Sequence, residues 1–188
     1  NYGNIVHAVF EVFLSKYLDS FNRETMFVLS DILFNSVNAP QTAQEAGFSE
    51  LIIELVSATE KLALAQMKMN FENAIEELYK TGWFSAAPDR AFCELPFSFK
   101  APELNGVVFD GRIDAMLEKN GEFSIIDFKT GKNKDNDLNY ALSEYGVNFF
   151  TKTGRAPLNI EDYQKKYDYQ IPIYYLASQN AQNLAEFK

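Results

Sequence analysis

The sequence has a single cysteine, no long apolar run and no visible targeting segment. Cys93 is the only cysteine, so this chain alone can supply neither an internal disulfide nor a cysteine-ligated zinc or iron-sulfur centre. No apolar stretch reaches the length of about 18 residues that a membrane helix needs. The chain opens at Asn1 on an amphipathic pattern rather than on a charged leader. We therefore predict a soluble cytoplasmic protein with no membrane partner and no iron-sulfur cluster, excised from a longer polypeptide.

The balance of charge is acidic. Asp and Glu number 26 against 17 Lys and Arg, which gives a formal net charge of -9. This is the wrong sign for a protein that finds nucleic acid by bulk electrostatics. Two solutions stay open: a partner domain delivers the strand, or local basic clusters grip it. The candidates for such clusters follow position 128 and are Lys129, Lys132, Lys134, Lys152, Arg155, Lys165 and Lys166.

The first part of the chain is predicted to be helical. Hydrophobic residues make up 47% of the chain and aromatic residues 15%, enough for one domain over 1–188 with a full core. Apolar residues recur at helical spacing in three segments, about 3–21, about 23–37 and about 42–80. We expect the third segment to be interrupted near Gly47 or Ser57, which makes 1–82 a helical block.

The pattern changes after Gly82. Short aromatic and β-branched runs bounded by turn residues predict three strands, at 90–100, 106–119 and 121–130. A polar stretch over 133–159 resembles an insertion or flap and contains a short candidate helix at 138–145. A last helix is predicted over about 160–184, with a kink or a late start because Pro172 lies inside it. The order predicts an α/β, α+β-layered domain in which 83–188 form the core with a small, largely antiparallel sheet.

The dipeptide Asn120-Gly121 predicts the pairing of the last two strands. Asn-Gly between two alternating runs is a strong signal for a two-residue type I′ hairpin turn. Lys119 then faces Glu122, and counting back along both strands brings Asp114 opposite Asp127. The sequence therefore predicts that two carboxylates are cross-strand neighbours.

Facing aspartates suggest a bound cation. Directly opposite residues have Cβ atoms about 4.5–5.5 Å apart, and like charges there destabilise the sheet. A divalent cation would compensate, and hard oxygen ligands suit Mg²⁺ or Mn²⁺ better than zinc. Lys129 should share this face and lie opposite Arg112, whereas the core side of the hairpin should comprise Ile113, Ala115, Ile126 and Phe128. The alternative is an exposed sheet face that carries a simple salt bridge.

Four motifs together resemble the RecB-like branch of the PD-(D/E)XK nucleases. IIDFKTGK at 125–132 resembles the Asp-aromatic-Lys-Thr-Gly signature of that branch, and GRID at 111–114 resembles its preceding Gly-x-Ile/Val-Asp motif. GNIVHAVFE at 3–11 resembles the Gly-x-x-x-His helix, and YDYQIPIYYLA at 167–177 resembles the Gln-x-x-x-Tyr helix. The resemblance implies a restriction-endonuclease-like core. The family core usually ends with a further strand, which we expect to be cut off or barely begun at Phe187 and Lys188.

The resemblance also implies roles for individual residues. The implied metal ligands are His7, Asp114, Asp127 and the backbone carbonyl of Phe128, while Lys129 would position or activate the attacking water. Gln170, also a candidate catalytic residue, and Tyr174 would contact the strand or support the site, with Lys132 and Arg112 as further substrate-binding candidates; Glu94 resembles a glutamate of the family's first core strand. For His7 the alternative is a packed or surface histidine. For Gln170 and Tyr174, which share a helix face, it is a polar patch beside the core.

The resemblance implies a Mg²⁺- or Mn²⁺-dependent deoxyribonuclease. The cluster-free type, which is linked to helicases, fits best, so we expect an exonuclease module in recombination and DNA repair with DNA and a helicase domain or subunit as partners. A non-catalytic nucleic-acid-binding or scaffolding domain of the same fold is the first alternative. A phosphohydrolase acting on small phosphates is the second, and the Gly-rich phosphate loop expected of one is missing from the sequence.

Overall fold

The computed structural model describes residues 2–101, 105–128 and 170–187. The chain divides into two compact units. The first comprises Asn1–Leu95 with Ile113–Thr130, and the second comprises Pro96–Arg112 with Gly131–Lys188. The predicted insertion at 133–159 and its helix at 138–145 lie outside the described residues, and the single domain over 1–188 stays a prediction.

The N-terminal part of the first unit is helical, as predicted. Its α-helices are α1 Tyr2–Lys16, α2 Arg23–Phe34, α3 Pro40–Ala46, α4 Glu50–Ser57 and α5 Lys61–Lys80. The segment predicted over 42–80 is broken at both of the candidate positions rather than at one. Gly47 ends α3 in the left-handed region at φ +111°, where a side chain would be strained. None of the helices in the described part of the chain combines the length and the apolar character required to cross a membrane.

Local signals explain where these helices begin. The Asn22 side chain accepts a 2.8 Å hydrogen bond from the Thr25 backbone N–H and so caps α2. The Ser49 hydroxyl accepts one from the Ile52 N–H at 3.4 Å and caps α4. Pro40 occupies the first turn of α3, where its missing N–H costs nothing. The helix boundaries therefore follow from side chains adjacent to each helix.

The core of the first unit is built around α1. Ile5, Val9 and Phe13 of this helix are fully buried. The rings of Phe10 and Phe13 meet an aromatic cluster that also includes Phe21, Phe71, Trp83 and Phe84. On the hairpin, Ala115 lies in this core and Ile126 and Phe128 pack against it. Ile113 is also fully buried, so the predicted core side of the hairpin is confirmed.

The described residues form one three-stranded sheet with the order β1-β2-β3. Its strands are β1 Arg90–Ala101, β2 Val107–Lys119 and β3 Glu122–Ile126. Strands β2 and β3 are antiparallel, and their pairs run from Lys119↔Glu122 to Ala115↔Ile126, which is the predicted register. Asn120 at φ +52° and Gly121 at φ +81° are both left-handed, as a type I′ turn requires. The third strand, predicted over 121–130, is shorter than predicted and ends at Ile126.

The second unit contains helix α6, Gln170–Asn180, followed by a 3₁₀ helix at Gln182–Phe187. Helix α6 therefore ends before position 184. Residues 160–169 lie outside the described part of the chain, so the predicted kink or late start at Pro172 stays a prediction. Tyr174 is buried, and its ring meets the Phe97 ring edge-on at 5.9 Å. A Cβ on Gly111 would lie 2.8 Å from Phe97 Cζ, so the glycine of GRID makes room for this ring.

Candidate metal centre

Three side chains from three separate elements converge in the first unit. They are His7 on α1, Glu94 on β1 and Asp114 on β2, and each offers a ligand atom within 4.8 Å of the other two. His7 Nδ1 lies 3.7 Å from Glu94 Oε1, and His7 Nε2 lies 3.7 Å from Asp114 Oδ2. The imidazole is thus flanked by one carboxylate on each nitrogen.

The backbone of Phe128 joins this cluster. Its N–H donates a 2.8 Å hydrogen bond to Asp114 Oδ2, and its carbonyl oxygen lies 3.0 Å from His7 Nε2. Since a carbonyl only accepts, the histidine donates from Nε2 in this arrangement. Phe128 follows the end of β3, so ladder pairs of β2 and β3 do not fix its backbone. The carbonyl that the family resemblance implies as a ligand therefore faces the implied histidine ligand.

Glu94 is held in an unusual backbone conformation. Its φ is +52°, inside a strand and two residues before Pro96. The left-handed region is uncommon for a residue with a side chain, and holding one there costs on the order of 1–3 kcal/mol. Such strain collects at functional sites, where the surrounding fold holds a side chain in a required position. Here the conformation accompanies a carboxylate that lies beside His7.

The environment of Asp114 shifts the pKa of its carboxyl group. Only 14% of its side chain is exposed, and this burial raises the pKa of its carboxyl above the ordinary value of 3.8. The Phe128 N–H and His7 lower the pKa, whereas the negative charges of Asp127 and Glu94 raise it further. A cation placed among these carboxylates would favour the ionised form of all three. The site thus has the electrostatics of a cation-binding site.

The donor set fits a hard divalent cation. Carboxylate oxygens, one imidazole nitrogen and a backbone carbonyl are ligands that Mg²⁺ or Mn²⁺ accepts, and no thiolate belongs to the cluster of His7, Glu94 and Asp114. In the described part of the chain Asp127 is not a member of that cluster. It is half-buried directly after β3, and its charge reaches Asp114. The structure thus brings Glu94 beside His7 and Asp114, while a ligand role for Asp127 stays a prediction.

The other predicted site residues are spread over the chain. Lys129 and Lys132 lie outside the described residues. Gln170 is the first described residue of α6, and its side chain also lies outside the described residues. Tyr174 is buried against Phe97 in the second unit, and Arg112 is exposed on β2 in the same unit. Their predicted roles stay predictions.

Two features of the site are missing from the sequence-based predictions. One is the Phe128 N–H, which fixes the Asp114 carboxylate. The other is the Phe10 ring, which stacks on the Phe128 ring at a centroid distance of 4.1 Å and an interplanar angle of 15°. The spacing of His7 and Phe10, three residues apart on α1, places them on one helix face and is the only signal in the sequence for this stack.

Comparison with known proteins places a family on the N-terminal three quarters of the chain. A family model described as the PD-(D/E)XK nuclease superfamily matches residues 1–146. Neither a curated protein nor a solved structure matches the chain. The matched region contains His7, Glu94, Asp114 and Asp127. Together with the helices and the small antiparallel sheet, the match confirms the predicted restriction-endonuclease-like α/β fold class.

Proposed function

The chain belongs to the PD-(D/E)XK nuclease superfamily, and from this premise we propose that it is a metal-dependent nuclease of the RecB-like branch. Its substrate in this proposal is DNA, which it degrades in the cytoplasm as the exonuclease module of a helicase-nuclease in recombination and DNA repair. The four sequence motifs support the branch, and the absence of further cysteines fits its cluster-free, helicase-linked type.

One observation carries the proposal. His7 Nε2, Asp114 Oδ2 and the Phe128 carbonyl oxygen meet at the end of β3, although His7 and Phe128 are 121 positions apart in the chain. A packed structural histidine would not need both a buried carboxylate and a backbone carbonyl directed at the same nitrogen. An imidazole nitrogen, a carboxylate oxygen and a carbonyl oxygen that meet at one point favour a metal-ligand role for the histidine.

The residues of the chain have separate tasks in this proposal. Asp114, Asp127, His7 and the Phe128 carbonyl hold a Mg²⁺ or Mn²⁺ ion. A divalent cation there would lower the pKa of an attacking water and offset negative charge on the scissile phosphate. Binding through Nε2 would require the proton that faces the Phe128 carbonyl in the metal-free arrangement to leave Nε2 and the ring proton to lie on Nδ1, where the Glu94 carboxylate, 3.7 Å away, would stabilise it. Lys129 would orient the water and neutralise charge on the phosphate oxygens.

Substrate contacts are proposed for four further residues. Gln170 and Tyr174 on α6, together with Lys132 and Arg112, would hold the strand or support the site. The net charge of -9 opposes unaided capture of DNA, so a helicase domain or subunit would deliver the strand. We therefore expect the chain by itself to degrade single-stranded DNA better than duplex, because the proposed nuclease unit does not open a duplex.

The test is a cleavage assay with wild type, Asp127→Ala and Lys129→Ala. End-labelled linear single strands, linear duplexes, closed circles and RNA are incubated with Mg²⁺, with Mn²⁺ or with a chelator. We expect metal-dependent cleavage of linear single-stranded DNA by wild type and a loss of at least about 100-fold in both variants. Circles that resist cleavage would support exonuclease action. Asp110→Ala is the matched control, since Asp110 is an exposed carboxylate on the same strand β2 as Asp114.

The outcomes separate the competing functions. Equal cleavage by wild type and by both site variants would contradict the nuclease assignment. Mn²⁺ binding without cleavage of any substrate, even with a helicase partner added, would favour the non-catalytic nucleic-acid-binding domain. Cleavage of RNA at the same rate as linear DNA would uphold nuclease activity but contradict a preference for DNA. Cleavage of closed circles at that rate would uphold nuclease activity but contradict exonuclease action.

A further inference from the structure

The backbone of Phe128 serves two of the proposed ligands at once. Its N–H holds the Asp114 carboxylate at 2.8 Å, and its carbonyl oxygen lies 3.0 Å from His7 Nε2. A rotation of this one residue would therefore move a ligand contact on each side. Since β3 ends at Ile126, the pairing of β2 with β3 stops before it reaches Phe128.

The side chain of Phe128 is anchored where the strand pairing stops. Its ring lies nearly parallel to the Phe10 ring, with centroids 4.1 Å apart and planes inclined by 15°. The His7 ring meets the same phenyl ring edge-on at 5.7 Å. His7 and Phe10 are one turn apart on α1, so one helix face contacts both the ring and the carbonyl of Phe128.

The Phe10 ring also packs against two other aromatic side chains of the first unit. Phe10 is 5% exposed, and its ring meets Phe71 at 6.0 Å and Trp83 at 5.9 Å, both edge-on. Aromatic contacts of this kind fix the orientation of a ring more sharply than aliphatic packing does. Phe71 on α5 and Trp83, which follows that helix, thus fix the position of the Phe10 ring. The Phe10 ring in turn fixes the Phe128 ring that stacks on it.

We propose that Phe10 is a positioning residue of the metal centre, which sets the Phe128 backbone, and through it the Asp114 carboxylate and the carbonyl opposite His7, by ring stacking. This rests on the proposed metal-dependent nuclease function. Phe10 touches neither metal nor substrate in this proposal. Its effect is on metal affinity and on the local order of residue 128.

The experiment compares Phe10→Leu with Phe34→Leu in the full chain. Phe34 is a fair control because it is also buried, at 6% exposure, and its ring also contacts Phe71, at 6.4 Å, while no contact of its ring with Phe128 occurs in the described part of the chain. Two readouts are used: Mn²⁺ affinity by calorimetry, and hydrogen exchange of the Phe128 amide in the metal-free protein. Phe10→Met is a second variant if the leucine variant does not fold, because the unbranched methionine side chain adapts to an irregular core gap.

We expect Phe10→Leu to weaken Mn²⁺ binding about tenfold and to speed exchange of the Phe128 amide by a similar factor, with less than about a twofold change in Phe34→Leu. Cleavage by Phe10→Leu should recover as Mn²⁺ is raised. In Phe10→Leu/Phe128→Leu the second substitution should weaken binding less than it does alone, since both remove the stack and only the edge-on contact of Phe128 with His7 is left to lose.

Equal effects of Phe10→Leu and Phe34→Leu, or no effect of either, would overturn the positioning role while Mn²⁺ binding by wild type upholds the proposed function. Wild type that binds no Mn²⁺ would overturn both. The amide exchange needs no metal and no activity, so it decides separately whether Phe10 orders Phe128.

Discussion

The Phe128 N–H donates its hydrogen bond to the side chain of Asp114, 2.8 Å away, at the point where the β2-β3 ladder stops. Had the ladder continued beyond Ala115 and Ile126, Asp114 and Asp127 would have been its next pair. Instead, the Asp114 carboxylate accepts a hydrogen bond from the Phe128 backbone N–H, and the carbonyl of Phe128 faces His7. The end of β3 thereby becomes part of the candidate metal centre.

The first prediction concerns the stability of the metal-free protein. Burial raises the pKa of Asp114 in the folded chain, so the folded state binds this proton more tightly than the unfolded state does. The stability that the group contributes is therefore present at low pH and is lost as the pH rises from the ordinary value of 3.8 through the raised pKa. We expect Asp114→Asn to melt at a higher temperature than wild type at neutral pH in chelator, and the difference to shrink on acidification.

Asp110→Asn is the control for this effect, because Asp110 is an exposed carboxylate on the same strand. Thermal unfolding followed by circular dichroism over a series of pH values gives both differences. A melting-temperature difference for Asp114→Asn that stays constant with pH would show that burial of the charge is not its cause.

The second prediction concerns Gly111. An added Cβ would approach Phe97 Cζ to 2.8 Å, and the ring cannot retreat freely because it is 5% exposed and packs on Tyr174. We expect Gly111→Ala to destabilise the chain by about 1–3 kcal/mol, the cost of overpacking a filled core. Urea denaturation measures this. In a Phe97→Leu background the same substitution should cost markedly less, and an unchanged cost would mean that the ring is not the obstacle.

The hairpin could be predicted from the sequence, because a two-residue Asn-Gly turn determines the register by counting. Its two positive φ angles and its pairs match the prediction. The helix breaks at Gly47 and after Ser57 were likewise visible as local signals. These features depend on residues close together in the chain.

The centre itself could be predicted only in part. Asp114 follows from the hairpin, but His7 and Phe128 are 121 positions apart, and only the family motifs pointed to the histidine. The positive φ of Glu94 and the stack of Phe10 on Phe128 arise from tertiary packing. Side chains that meet across the fold leave no periodic pattern, so no local rule predicts them.

The third prediction tests the turn. Among the described residues, apart from its chain neighbours, no atom lies within 4 Å of a Cβ built on Gly121, so substitution there meets mainly backbone strain at φ +81°. We expect Gly121→Val to cost about 1–2 kcal/mol by urea denaturation. Asn120→Gly should be nearly neutral, because the Asn120 backbone N–H, rather than its side chain, donates to Asp89 Oδ2 at 2.7 Å. Equal costs at the two positions would contradict a type I′ turn.

The last prediction separates the strain at Glu94 from its charge. Glycine adopts φ +52° without strain, whereas alanine does so only at a cost of about 1–2 kcal/mol, so Glu94→Gly should be more stable than Glu94→Ala by about 1 kcal/mol, even though glycine gains more entropy on unfolding. Both variants lack the carboxylate beside His7, so both should weaken Mn²⁺ binding to a similar extent, about 10–100-fold.

Ser98 supplies the matched control, since it is exposed on the same strand β1 and is not among the residues with positive φ. There the order should reverse: Ser98→Ala should be more stable than Ser98→Gly by roughly 0.5–1 kcal/mol, with Mn²⁺ affinity unchanged. Urea denaturation and calorimetry measure the two quantities separately. The same order of stabilities at both positions would mean that the backbone at Glu94 is not strained, whereas wild-type Mn²⁺ affinity in Glu94→Gly would remove the carboxylate from the metal centre.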